Sequence, residues 1–155
     1  MPRAYLNTEI RTYEIIGDQD GISRVGSVDL IPNHEVHETL AEAYQQLSEY
    51  FNRQRKVFTF KLNMIGTEFQ IKCWTALLEV PYGETRSYKE IATMIGDPKA
   101  SRAVGMANNR NPLAIVVPCH RVIGARGQLV GYEGGVDIKR YLLALEGHER
   151  FQELF

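Results

Sequence analysis

Ile115-Val116-Val117-Pro118-Cys119-His120-Arg121-Val122 is an apolar, β-branched run that stops at a proline and passes into a thiol, an imidazole and a guanidinium. The run predicts a buried strand that Pro118 ends or bends. A thiolate is the strongest common nucleophile a side chain offers, and adjacent cations lower a thiol's pKa. Free cysteine is also among the most buried residue types and commonly packs as a small hydrophobe. Local chemistry leaves both readings of Cys119 open.

A chain of 155 residues suits one compact domain, or a small domain docked on a larger one. It is long enough to bury a core without disulfides or a structural metal. Cys73 and Cys119 have no CxxC spacing, so a reduced, intracellular compartment is expected. No long apolar run marks the N-terminus, so neither a signal peptide nor a membrane span is expected. The net charge of −1 argues against bulk polyanion binding. Its distribution is uneven. From Lys99 to Tyr132 there is no Asp or Glu, while Lys99, Arg102, Arg110, Arg121 and Arg126 fall in that window. Residues 1–55 carry five Lys/Arg against nine Asp/Glu. A locally basic segment around the Pro-Cys-His-Arg run points to an anionic partner.

Residues 4–31 read as two strands around the turn-rich Gly17–Gly21, hence a hairpin. Pro32-Asn33 breaks the pattern. Val36, Leu40, Ala43, Tyr44, Leu47, Tyr50 and Phe51 recur at helical spacing over about 35–53. His34 and His37 near that helix start, without further Cys or clustered acid, make a poor metal site. Val57–Leu62 reads as a short extended segment, with a domain boundary just before it. Thr67 to Gln70 has capping-box spacing, and the helix it opens presents Cys73, Trp74 and Leu77 to a core. Ser87-Tyr88-Lys89-Glu90 is a second capping box. The helix it opens stops at Gly96, and Asp97-Pro98 is expected to cap another through about Asn108. Two short helices joined by a tight turn have the form of a helix-turn-helix. The second is slim and basic, as approach to a nucleic-acid groove requires, although helix pairs that merely pack are commoner. Ile123–Gly127 predicts a hairpin tip, and Gly131-Tyr132-Glu133-Gly134-Gly135 a loop open to close approach. Asp137 is expected to cap a last helix. Glu146 falls in its last turn, where the dipole disfavours a carboxylate; a histidine partner or plain solvation would each account for it.

Pro118-Cys119-His120-Arg121-Val122, preceded by Asn111-Pro112 and followed by Gly131–Gly135, resembles the active-site region of the O6-alkylguanine-DNA alkyltransferases. The resemblance runs from about Gly66 to Gly147. It takes in Gly66-Thr67-Glu68-Phe69-Gln70, Tyr82-Gly83-Glu84, Ser87-Tyr88 and Ser101-Arg102-Ala103-Val104-Gly105. Ordered motifs at matching spacing are far more specific than any one of them. The resemblance implies repair by irreversible, single-turnover transfer of an alkyl group from O6 of guanine in duplex DNA to the protein itself, with O4-alkylthymine as a second candidate substrate. Cys119 matches the acceptor, His120 the base acting through a water, and Glu146 the carboxylate orienting it. Tyr88 matches the tyrosine meeting guanine N3. Asn111 matches an asparagine bridging the recognition helix and the active-site strand.

The same resemblance implies base flipping, with Arg102 filling the vacated stack and the helix of Ser101, Ala103 and Gly105 in the minor groove. Arg121 and Arg126 would meet phosphates. Tyr132, Glu133, Val122 and Ala114 would line the base pocket. Some relatives hold zinc through N-terminal cysteines, which this chain lacks before Cys73; no metal or other cofactor is expected. The expected fold is mixed α/β (α+β): a small N-terminal α/β domain over 1–55 and a mostly helical, winged-helix or helix-turn-helix-like domain over 56–155. The expected protein is a cytoplasmic monomer, nucleoid-associated in a prokaryote or nuclear in a eukaryote, working on duplex DNA and not on membranes. Rival readings are a DNA-binding relative without transfer, a winged-helix transcription factor and a cysteine hydrolase. The acceptor cysteine weighs against the first. The second predicts no covalent product, and the third an oxyanion site that the sequence does not display.

Overall fold

The structure is a computed structural model that describes residues 1–29, 34–132, 134–148 and 150–151. It is mixed α/β and divides into two compact units. One comprises Met1–Ile65 with Pro112–Val116; the other comprises Gly66–Asn111 and the described residues from Val117 onward.

The first unit is built on an antiparallel sheet, order β1-β2-β3, of Arg3–Asn7, Thr12–Asp18 and Gly21–Val28. The hairpin expected around Gly17–Gly21 is β2–β3. The run before it is two strands, not one. Its turn carries no Gly or Pro: the Thr8 hydroxyl supplies the turn chemistry, donating to Arg11 O at 2.6 Å and accepting from Arg11 N at 3.1 Å. Leu30, Ile31 and the Pro32-Asn33 break lie outside the described residues.

Helix α1, Glu38–Phe51, starts later than the expected position 35 because His37 caps it, Nδ1 accepting from Thr39 N at 3.1 Å. It buries Leu40, Ala43, Leu47 and Tyr50 and packs on β1 and β2. His34 Nε2 accepts from Tyr5 N at 2.9 Å. Among the described residues no group of three His, Cys, Asp or Glu side chains gathers as a metal site.

The division between units falls after Ile65, later than the boundary expected near 55. The reason is hydrogen bonding: Ile22 N donates to Lys61 O at 2.9 Å and Asn63 N to Ile22 O at 2.8 Å, so this segment belongs with β3. Pro112–Ala114 does likewise, with Val25 N donating to Pro112 O and Ala114 N to Val25 O.

The second unit is mostly helical. Helix α2, Glu68–Leu77, opens with the expected Thr67–Gln70 capping box and buries Cys73, Trp74 and Leu77. Strand β4, Arg86–Ser87, leads into α3, Tyr88–Met94, which carries the Ser87–Glu90 capping box. Helix α4 spans Ser101–Asn109. It starts after the expected Asp97-Pro98 cap, because Ala100 N closes a turn onto Asp97 O at 3.0 Å and Pro98 sits inside that turn. α3 and α4 pack together as a helix-turn-helix, and α2 packs on both. The buried Trp74 Nε1 donates to Ala107 O at 2.9 Å, pinning α4 to α2.

Strand β5, Val122–Ile123, pairs in parallel with β4. The tip expected at Ile123–Gly127 is a turn closed by Gly127 N to Gly124 O and Gly124 N to Gln128 O. Helix α5, Val136–Leu145, is preceded by Gly135 at φ 100°, and Asp137 lies in its first turn rather than at its cap. No helix of the described residues is long and apolar enough to cross a membrane.

Candidate active site

The apolar run before Cys119 is buried, but it is not the expected strand. Val116 N bonds back to Ala114 O at 2.8 Å across Ile115, whose φ is 73°. That is a γ-turn of the positive-φ kind, rare and strained for a β-branched residue. Further on, Cys119 N bonds to Val117 O at 2.8 Å across Pro118 at φ −81°, ψ 63°. This is an inverse γ-turn, whose geometry proline's ring favours. Cys119 then opens a 3-10 turn, Cys119–Arg121.

Asn111 holds that second turn in place. Its Nδ2 donates to Val117 O at 2.8 Å and lies 3.3 Å from Cys119 Sγ. Asn111 follows directly from α4, so the helix-turn-helix and the thiol share one amide.

Beyond the thiol lies a buried chain of polar groups. His120 Nε2 is 2.6 Å from Glu146 Oε2, and both side chains are wholly buried. Arg121 grips the same carboxylate with two prongs, Nε to Oε1 at 2.8 Å and Nη2 to Oε2 at 3.0 Å. Its Nη1 donates to Val80 O at 2.7 Å. Burial resists ionisation of Glu146, but His120 and Arg121 overcome it and hold the carboxyl well below the usual carboxylate range. Burial pushes His120 the other way, below its ordinary value, with the Glu146 charge opposing. The imidazole is therefore neutral near pH 7. A neutral ring facing an ionised carboxylate carries its proton on Nε2, which leaves Nδ1 as the basic nitrogen. Nδ1 is buried and has no hydrogen-bond partner among the described residues.

Residues 68–148 match the family model for the DNA-binding domain of 6-O-methylguanine DNA methyltransferase, and residues 1–64 match its ribonuclease-like domain. The chain belongs to this methyltransferase family. It is 54% identical over 140 residues to the methylated-DNA–protein-cysteine methyltransferase of Methanosarcina acetivorans, covering 86% of this chain and 90% of that one. It is 60% identical over 109 residues to the Mycobacterium leprae protein of the same name, covering 70% and 66%. A crystal structure of Mycobacterium tuberculosis OGT in complex with DNA superposes with a TM-score of 0.83 at 44% identity, covering 92% of this chain and 90% of that chain.

A second cluster in this methyltransferase-family chain surrounds Tyr88. Its hydroxyl donates to Val130 O at 3.1 Å. Gly105 lies against its ring and Gly131, at φ 64°, against its hydroxyl. Burial, and secondarily the charge on Cys119, raise the Tyr88 pKa.

Lys139 ties the two clusters together, and sequence reasoning missed it. It is 1% exposed. Its ammonium donates to Val122 O and, at 3.0 Å, to Val130 O. The available signal was positional: Lys139 stands on the inward stripe of α5 with Leu142 and Leu143. Burial lowers its pKa from 10.5 to about 8, opposed by the charge on Cys119. An unfolded lysine keeps its proton up to about 10.5, so between these values the unfolded chain binds more protons and stability rises with pH. Relative to Lys139→Met, the native chain should gain about 3 kcal/mol across that window. Urea unfolding of both at about pH 7 and about pH 10 measures it. Equal pH slopes would show that Lys139 carries no such buried charge.

The remaining expected site residues divide. Ser101 and Arg102 open α4, with Arg102 exposed. Ala103 lines a groove with Thr67, Phe69 and Gln70. Arg126 is exposed at the Gly124–Gly127 turn, and Tyr132 is half-buried. Arg121, expected to meet phosphate, is buried and committed to Glu146 and Val80. Val122, expected in the base pocket, has a fully buried side chain and presents its carbonyl to Lys139. Ala114 belongs to the first unit, bonded to Val25. Glu133 lies outside the described residues.

Proposed function

We propose that this chain repairs DNA by moving an alkyl group from O6 of guanine in duplex DNA onto Cys119, once and irreversibly. One observation carries the reading: the residue after the thiol is a buried histidine whose Nε2 is held by a buried carboxylate, which leaves Nδ1 without a partner among the described residues. The arrangement is nucleophile, base and orienter. His120 Nδ1 takes the thiol proton through a water. The thiolate attacks the alkyl carbon in line, the carbon–O6 bond breaks, and a thioether forms. The departing guanine carries the displaced electron pair and needs a proton, which the Tyr88 hydroxyl supplies at N3 after releasing Val130 O. Asn111 steadies Cys119 throughout. Arg121 keeps Glu146 ionised, so the carboxylate keeps the imidazole in the useful tautomer. A thioether is stable, and no group among the described residues of the site offers a way to cleave it; each molecule acts once.

The target atom is stacked within the duplex, so the base must be extruded. Arg102, exposed at the start of α4, fills the gap from the minor-groove side, and the small residues Ser101, Ala103 and Gly105 let the helix approach closely. Arg126 meets phosphate, and Tyr132 borders the base. The protein works as a monomer. Arg102→Ala should slow repair in duplex DNA by roughly tenfold or more, since unstacking costs a few kcal/mol. Reaction with free O6-benzylguanine, which needs no extrusion, should change much less. Equal losses on both substrates would argue against Arg102 as the extruding residue.

A further inference from the structure

Met106 is 67% exposed, more than any other large apolar side chain of the second unit among the described residues. A single exposed methionine is ordinary; its surroundings are not. Met106 borders a groove of about 230 Å³ between α2 and α4, shared with Thr67, Phe69, Gln70, Ala103 and Arg110. Thr67 and Gln70 serve each other in the capping box, Thr67 Oγ1 accepting from Gln70 N and Gln70 Oε1 from Thr67 N. Phe69, Ala103 and Met106 leave the floor apolar. The one charge in the lining is the exposed Arg110 guanidinium, and no carboxylate faces it there. An apolar floor ending in a cation matches a sugar joined to a phosphate. The groove suits a group of that size, whereas a protein partner needs roughly 800 Å² of surface on each side.

Helix geometry shows which strand supplies it. α4 turns about 100° per residue, so Gly105, Arg102, Met106 and Ala103 follow one another around its outer side. Gly105 lies against the Tyr88 ring, and Met106 and Ala103 line the groove. Arg102 therefore stands between Tyr88 and the groove. With Tyr88 on the damaged base and Arg102 in the stack it leaves, the groove beyond Arg102 falls to the other strand.

We propose that the α2–α4 groove holds the sugar–phosphate backbone of the undamaged strand, with a deoxyribose against Met106, Phe69 and Ala103 and its phosphate at Arg110. The proposal rests on the alkyl-transfer reading above and adds a grip on the second strand. Sugar and phosphate contacts carry no sequence information, as suits a protein whose lesion arises in any sequence.

The test measures binding to one lesion-bearing oligonucleotide, single-stranded and as a duplex, with Met106→Ala and Arg110→Ala each placed in a Cys119→Ala background so that no repair occurs during titration. Transfer from free O6-benzylguanine, Tm and sedimentation are measured with Cys119 in place. Met106→Ala should weaken duplex binding about fivefold. Arg110→Ala should reduce the slope of log affinity against log salt by about one. Both should leave single-strand binding and benzylguanine transfer within about twofold, and Tm nearly unchanged, as for exposed positions. Unchanged duplex affinity in both variants would overturn the proposal. So would equal losses on single strand and duplex, which would put the contact on the damaged strand. A fall in benzylguanine transfer, or in Tm by several degrees, would mark the groove as structural and overturn it too. Loss of self-association with DNA affinity intact would give the groove to a second copy of this chain instead. If the native chain takes no alkyl group from any O6-alkylguanine, the transfer reading fails; an active native chain whose duplex affinity ignores both substitutions sinks this proposal alone.

Discussion

Cys119→Ala should abolish removal of methyl groups from O6-methylguanine and leave duplex binding within a few-fold of native. Under the proposed transfer the loss is total rather than partial, because the thiol is a reagent consumed in the reaction: without an acceptor atom there is no product, whatever the surrounding groups do. The fold survives because the thiol contributes little to it. Asn111 Nδ2 keeps its 2.8 Å bond to Val117 O when the longer contact to Sγ is gone. The stability cost is that of a small buried truncation, about 1 kcal/mol. Cys73→Ala is the matched control. That thiol is fully buried on α2, where burial pushes its pKa up and keeps it inert, so repair should continue. Electrophoretic mobility shift with a lesion-bearing duplex, beside a methyl-removal assay, separates binding from chemistry. Residual repair by Cys119→Ala would contradict the assignment of the acceptor.

Arg121→Ala carries the largest stability effect. The guanidinium is the permanent cation on a carboxylate that has no exposed surface, and it also satisfies Val80 O. Removing it takes both charged hydrogen bonds of the guanidinium from Glu146, while His120 and a long 3.4 Å contact from Gly83 N remain among its partners. Breaking a buried pair by deleting one partner costs about 3–5 kcal/mol, which for a chain of this size lowers Tm by roughly 10 °C. The cost depends on pH with a definite sign. In the native chain the folded Glu146 pKa is depressed, so its contribution is present above the unfolded value, about 4.3, and is lost as pH falls through the lower folded value. Without Arg121 that depression is reduced. The difference between native and variant should therefore be greatest near neutrality and shrink below about pH 4. Urea unfolding across that range measures it, with Arg126→Ala as the exposed control. A loss under about 1 kcal/mol at neutral pH would show that Arg121 is not what holds Glu146 ionised.

What the sequence disclosed depended on how far each interaction reaches along the chain. Both capping boxes were legible, because a Thr or Ser and its partner three residues on complete the interaction themselves. The turn at Thr8 was not, because a hydroxyl did there what glycine or proline usually signals. The run at Ile115–Val117 shows the limit of hydrophobic pattern. Burial was legible, but an apolar run reads the same whether it lies in a strand or in a turn, and nothing in a β-branched residue announces a φ of 73°.

Arg121 failed for a related reason. Beside Cys119 in an acid-free window it looked like a phosphate contact, yet the acid that claims it lies 25 residues further on. The fold returns that carboxylate to the histidine and the arginine together, which also resolves the awkward position of Glu146 at the end of α5. Lys139 was hidden by its residue type, since a lysine on a helix usually faces water and here is buried.

The most direct test is mass spectrometry of the peptides after incubation with a duplex containing O6-methylguanine. The account predicts one added methyl group on the Cys119 peptide, none on the Cys73 peptide, and an equal number of restored guanines. An unmodified Cys119 beside an unrepaired base, with the protein folded and bound, would contradict it.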